Sequence, residues 1–236
     1  VIIIPVAGFF IERYLDYLNS KMWSDTLPDK LVGIIDRDEY KKSQKYDKEN
    51  KKLSLWSSAF NLIVILAMIL LGGFSLVDTF ARDFSSNMIV TALIFFGIIG
   101  LGSDIINIPF SYFDNFVIEK KYGFNKMTLR TFITDHFKSW FIALIVGIPV
   151  LGLITWFYYM AGPEFWLYAW GLITLFSVFI NLFYSELIVP LFNKQVPLKD
   201  GPLRTMIEEF ARKTGFKLRN IYIIDGSKRS TKANAY

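Results

Sequence analysis

MIVTALIFFGIIGLGSDIINIPFSYF, residues 88–113, carries one charge, Asp104, in an otherwise apolar run. A helix crosses a bilayer with roughly 20 predominantly apolar residues, so this stretch is long enough to span. Three further runs have no charge at all: Leu53–Val77, Ser139–Gly162 and Phe165–Ser185. A fifth, Val1–Ile11, opens the chain; it is short and does not start with Met, and it reads as the remnant of a longer span. The expected fold class is an all-α integral membrane helical bundle. Its spans are expected at about 1–19, 53–80, 88–115, 138–161 and 164–189, with a separate segment, 190–236, after them.

Composition agrees with that class. The chain is 53% hydrophobic and 17% aromatic, far from a soluble average. It has no cysteine, which excludes a disulfide framework, a Cys-based zinc site and a Cys nucleophile within this stretch. The net charge of +5 could suggest nucleic acid, but the placement of the charges argues otherwise. Of the 26 Lys and Arg, 9 fall in residues 19–52, 5 in 112–138 and 10 after Pro190, against 1 in 81–87 and none around Gly162. Alternate connections are rich and nearly empty in basic residues, the pattern that places the rich ones in the cytoplasm. The start of the chain is thus expected outside and residues 190–236 inside, the basic face meeting anionic lipid. Glu12 and Arg13 come after the first run with no small-residue cleavage site, so that run does not read as a signal peptide.

The outer connections, near Arg82-Asp83 and at Gly162-Pro163, are short, which implies antiparallel neighbours. Residues 36–52 mix both charge signs and read as a solvated helix joining two spans. Within the spans, polar and small residues recur at helical spacing. Gly97, Gly100, Asp104, Asn107, Ser111 and Asp114 share one face; Thr174, Ser177, Asn181 and Ser185 share another; Ser54, Ser57 and Asn61 a third. Such stripes arise from close helix packing with interhelical hydrogen bonds, or from a wet cavity. Asp104 favours the cavity, because a carboxylate in dry packing needs a cation or a proton.

After Pro190 the character changes. Pro202–Thr214 reads as an amphipathic helix with Pro202 in its first turn and Gly215 at its end. Ile221–Ile224 reads as a strand closed by Asp225-Gly226, and Ala233–Tyr236 as the start of a second extended segment. A strand without its partner buries nothing, so the chain is expected to stop inside a folded unit.

Hydrolytic apparatus is thin. The one histidine, His136, cannot make a paired-His zinc site, and it reads as an interfacial structural residue. There is no G-x-S-x-G elbow and no phosphate loop.

Three segments are distinctive: Glu119-Lys120-Lys121-Tyr122-Gly123-Phe124-Asn125-Lys126-Met127-Thr128 with Asp135; Pro190-Leu191-Phe192-Asn193; and Asp225-Gly226-Ser227-Lys228-Arg229-Ser230 with Ala233-Asn234-Ala235-Tyr236. In this order after several spans, they resemble the type I CAAX prenyl protease family of integral membrane zinc metalloendopeptidases. The resemblance covers essentially the whole chain, and the short outer connections look more like bacterial members, which would place it in a bacterial inner membrane rather than the endoplasmic reticulum. It implies about seven spans in the full protein, a water-filled chamber and a small cytoplasmic α+β zinc-protease domain that starts within residues 190–236. It also implies that HExxH and the zinc ligands lie beyond Tyr236, where zinc polarises the scissile carbonyl and the Glu takes the proton of its water. No catalytic residue and no metal ligand is then expected here, and this stretch alone is expected to be inactive. Asn234, Ala235 and Tyr236 match an edge strand that binds substrate by strand addition, or cap a turn and pack a core. Asp104, Asn107, Ser111, Asp114 and Asn181 become candidates for the chamber lining. The implied partners are a peptide or prenylated CAAX-type peptide and the lipid bilayer, not nucleic acid; in a bacterial member the work could be membrane-protein quality control. Two rivals stand beside this reading: a transporter or channel using Asp104, Asp114 and Glu186, and a non-catalytic membrane scaffold.

Overall fold

The computed structural model describes residues 1–24, 26–218 and 220–232. It divides into two compact units, residues 1–125 and 126–236. Four helical stretches among the described residues are long and apolar enough to cross a membrane: Arg37–Leu70, Met88–Tyr122, Leu129–Met160 and Gly162–Phe192.

The first unit opens with α1, Ile3–Ser20. Helix α2, Arg37–Leu70, is next; the Asp36 carboxylate caps it, accepting from the amides of Asp38 and Glu39 at 2.8 and 3.2 Å. The charged residues 37–52 are therefore the first half of a 34-residue helix that runs on into the apolar run. Lys51 pairs with Asp16 of α1 at 2.8 Å, and the Trp23 indole donates to Asp47 at 2.6 Å, so this polar half is held to its neighbours.

The apolar run Leu53–Val77 is not one helix. It breaks at Gly72, whose φ of +72° is left-handed, and resumes as α3, Gly73–Phe84. Two physical needs meet at this glycine pair. Gly72 takes a backbone conformation that a side chain would strain. At Gly73 an added Cβ would lie 2.5 Å from the Met68 sulfur and 3.1 Å from the Met68 Cα. The expected span 53–80 is thus replaced by a span ending at Leu70 and a separate helix. Arg82 and Asp83, expected in a loop, lie inside α3, where Arg82 pairs with Asp78 at 2.7 Å.

Helix α4, Met88–Phe113, is capped by Asn87 and packs on α3, with Ala81 and Thr91 buried. It continues through a π-helical segment, Asp114–Glu119, into the single turn α5, Lys120–Tyr122. A π segment fits an extra residue into the turn and so rotates the next turn about the helix axis. Here Ile118 and Tyr122 are buried. The Tyr46 ring of α2 lies edge-on to Tyr122 and to Phe124, with centroids at 5.2 and 5.1 Å.

The second unit begins with α6, Leu129–Met160, capped by Thr128, whose hydroxyl accepts from the Thr131 amide at 3.1 Å. The cap lies well before the apolar run that opens at Ser139, so the helix is longer than the expected 138–161. A tight turn at Gly162–Glu164 leads into α7, Phe165–Phe183. The two helices form a hairpin with Phe157 against Tyr168 and Tyr158 against Phe165. A second π segment, Tyr184–Ile188, precedes the short α8, Val189–Phe192. Then come β1 (Gln195–Pro197), α9 (Pro202–Thr214) and β2 (Tyr222–Ile224). The strands pair antiparallel, Val196 opposite Ile223. The strand expected at Ile221–Ile224 therefore has its partner upstream, in β1. Three residues with a terminal proline give no alternation to detect.

Candidate functional site

The three distinctive sequence segments are brought to two places. In the first unit, Gly123 at φ +80° ends α5 in a left-handed cap, and the amides of Phe124 and Asn125 turn back to donate to the Glu119 carbonyl at 2.8 and 3.2 Å. The Tyr46 hydroxyl donates to the Glu119 carboxylate, and Glu49 of α2 accepts from Lys121 at 2.5 Å and Tyr122 at 3.0 Å. Residues 119–125 thus terminate one long helix and hold it to the polar half of another.

In the second unit, Arg229 joins the remaining two segments to Asp135. Its Nε and Nη2 fork onto both carboxylate oxygens of Asp135, at 2.7 and 2.9 Å. Nη1 donates to the Asn193 side chain at 2.7 Å and Nη2 to the Phe192 carbonyl at 2.9 Å. Its own carbonyl accepts from the Lys126 amide at 2.9 Å. Two parallel charge-assisted bonds give strength and fix direction, which a lysine cannot do. The Arg229 and Asp135 side chains are 18% and 19% exposed, so the pair is only weakly screened. One guanidinium therefore ties the start of α6, the end of α8 and the turn after β2.

Beside it, Asp225 closes the small sheet. Its carboxylate accepts from the Lys194 amide at 2.7 Å and from Lys228 at 3.1 Å, and its amide donates to the Lys194 carbonyl. Partial burial pushes the Asp225 carboxyl up, but the bonds from Lys228 and Lys194, with the charges of Lys228 and Arg229, outweigh it. The result lies below the ordinary carboxylate value.

The polar stripes divide between the two accounts of them. Asn61 and Asn107 exchange side-chain amide bonds between α2 and α4, at 2.8 and 3.2 Å, and each also donates to its own helix, to Ser57 and Ser103 carbonyls. At that point the stripe is interhelical packing. Next to it, a cleft of about 910 Å³ is lined by Glu12 of α1, Ser54, Ser57 and Asn61 of α2, and Gly102 and Ser103 of α4. The α2 stripe therefore borders a cavity. Asp104, Asn107, Ser111 and Asp114 are half-buried and do not lie on its lining. Asn181 is exposed on α7 and donates to the Ser177 carbonyl at 2.8 Å. Asn234, Ala235 and Tyr236 lie outside the described residues.

No group of three or more His, Asp or Glu side chains among the described residues is arranged to hold a metal ion. The His136 ring lies edge-on to Phe132, centroids 4.6 Å apart, and 6.5 Å from Trp140.

Residues 16–194 match the family described as CAAX prenyl protease N-terminal, five membrane helices. The chain belongs to this family. It is 32% identical to CAAX prenyl protease 1 homolog of Arabidopsis thaliana over 98% of this chain and 58% of the relative. It is 33% identical to CAAX prenyl protease 1 of Saccharomyces cerevisiae, over 98% of this chain and 53% of that one. The crystal structure of S. mikatae Ste24p matches with a TM-score of 0.90 and 35% identity, covering 98% of this chain and 56% of that chain. The chain thus spans a little over half the length of these relatives. The family's five membrane helices fit a helical membrane bundle, and among the described residues four helical stretches are long and apolar enough to span.

Asp135, Asn193 and Arg229 stand in the sequence only as members of three separate motifs. The structure brings them together, and the one signal available beforehand was an Asp and an Arg of motif segments separated by 94 residues.

Proposed function

We infer that this chain is the membrane portion of a zinc metalloendopeptidase that cuts CAAX-type prenylated peptides at the membrane. One observation supports it above others: the fold matches Ste24p over 98% of the chain, with a TM-score of 0.90. The relatives named as CAAX prenyl proteases support the substrate class. Residues 190–236 are read as the start of the protease domain, on the cytoplasmic side with the other basic connections, and the start of the chain as outside. In this reading the zinc ligands and HExxH come from sequence beyond Tyr236. Asn234, Ala235 and Tyr236 are assigned to substrate binding by strand addition, and Asp104, Ser111, Asp114 and Asn181 to the water of a chamber.

The contribution of this chain's own residues is positioning. Arg229 and Asp225 fix the turn that leads from β2 toward residues 233–236. That turn would set the strand onto which a peptide adds. The test is peptidase activity of the longer polypeptide containing HExxH, on a farnesylated CAAX peptide, with and without a zinc chelator. Chelator-sensitive cleavage is the expected result; an intact full-length protein with no such activity refutes the proposal.

A further inference from the structure

A second cleft, of about 650 Å³, lies between α2 and the α4–α5 helix, at the end where both leave the apolar runs. Its walls include Leu53, Trp56, Phe113 and Val117; its rim is Glu49, Lys52 and Lys121. Leu53 is the first residue of the uncharged run of α2 and Lys52 the last residue before it, so the cleft straddles the level where the chain enters the membrane. Trp56, Phe113 and Val117 are 64%, 45% and 42% exposed, so the walls are open to a ligand from the side. An indole at such a level suits the interface between headgroups and chains.

The rim is electrostatically uneven. Glu49 accepts from Lys121 at 2.5 Å and from the Tyr122 hydroxyl at 3.0 Å, so the rim's one carboxylate is offset within the protein. The Lys52 side chain is exposed and donates no hydrogen bond among the described residues, although its charge acts on Glu49. Lys45, two turns away on the same helix face, is exposed as well. Lys48, by contrast, is turned to the Trp23 ring, 5.9 Å from its centroid. The result is an apolar trough with an excess of positive charge at its basic end. Pro109 in its wall removes an amide from the α4 ladder.

We propose that this cleft is a binding site for an anionic glycerophospholipid, its phosphate on Lys52 and an acyl chain along Trp56, Phe113 and Val117. A basic pocket between membrane helices on the positively charged side is the recurring form of such sites. The charge of the rim selects against zwitterionic lipids, and the apolar walls select against free phosphate. The site depends on the membrane placement of α2 and α4, not on peptidase activity.

The test uses the whole protein purified in mild detergent and titrated separately with phosphatidylglycerol and phosphatidylcholine. Native mass spectrometry counts retained lipid, and chain-brominated forms of each lipid report contact through quenching of Trp56. Its share of the quenching is the difference between the protein and its Trp56→Phe variant. The expected result is preferential retention of phosphatidylglycerol, weakened by added salt. Lys52→Gln should lower that retention about fivefold, the effect of one basic residue near an anionic lipid. Val117→Trp, which fills the trough, should abolish both retention and Trp56 quenching. Lys217→Gln, an exposed lysine after α9, should change nothing. Equal retention of the two lipids would mean ordinary annular contact and would overturn the proposal. So would retention indifferent to Lys52→Gln, a surface change that leaves folding intact.

Discussion

Arg229 makes four side-chain hydrogen bonds, to Asp135, Asn193 and Phe192, and loses all of them on truncation. Removing one partner of a mostly buried ion pair leaves the other without compensation, so Arg229→Ala should destabilise by about 2–4 kcal/mol. Arg229→Lys keeps the charge but not the fork, and should recover less than half of the loss. Thermal unfolding of the detergent-solubilised protein measures both; a lysine variant as stable as the parent would contradict the role given to the fork. Asp225 offers a pH-dependent counterpart. Its carboxyl lies below the ordinary value, so its contribution is present above the unfolded value and is lost as pH falls through the folded one. Amide exchange at residues 194–198 and 222–225, measured from about pH 6 to about pH 3, should show protection falling across the carboxylate range. Asp225→Asn should flatten that dependence. An unchanged profile would mean that the Lys194 and Lys228 bonds do not hold the sheet.

Helices α2 and α4 are joined within the apolar region by Asn61 and Asn107. A double-mutant cycle with Asn61→Leu and Asn107→Leu should give a coupling of about 0.5–1.5 kcal/mol, the range for interhelical polar pairs in membranes. Zero coupling would return both residues to the cavity reading. The element boundaries show what a one-dimensional pattern can and cannot carry. The α9 helix falls at Pro202–Thr214, as its periodicity, proline and glycine indicate. The apolar run 53–77 did not announce its break, because hydropathy is blind to backbone conformation. Gly72-Gly73 was the signal, and its meaning depended on Met68 lying one turn away in space. Strand β1 gave no signal, since three residues ending in proline are too few to show side-chain alternation; the Asp225–Lys194 bonds flank its ladder with β2.

For the molecule as a whole, the family and the membrane bundle rest on residues 16–194 and on the match to Ste24p. The chamber proposal can be probed directly, because this chain has no cysteine. Single cysteines at Asp104, Ser111 and Asn181 should react with a water-soluble maleimide in intact membranes, and cysteines at the exposed apolar Ile105 and Leu175 should react far more slowly. Equal protection of both groups would mean that the polar stripe is dry.

The class of protein and its family were readable from the chain alone. Those features rest on properties each residue carries by itself: apolar area, charge and the order of motifs. The convergence of Asp135, Asn193 and Arg229, the Asn61–Asn107 pair and the cleft beside Lys52 were not readable. Each is a meeting of side chains on different elements, at distances of about 3 Å for the polar pairs, and such meetings exist only after the helices have packed. Pairing of this kind depends on relative position, which the linear order of residues does not contain.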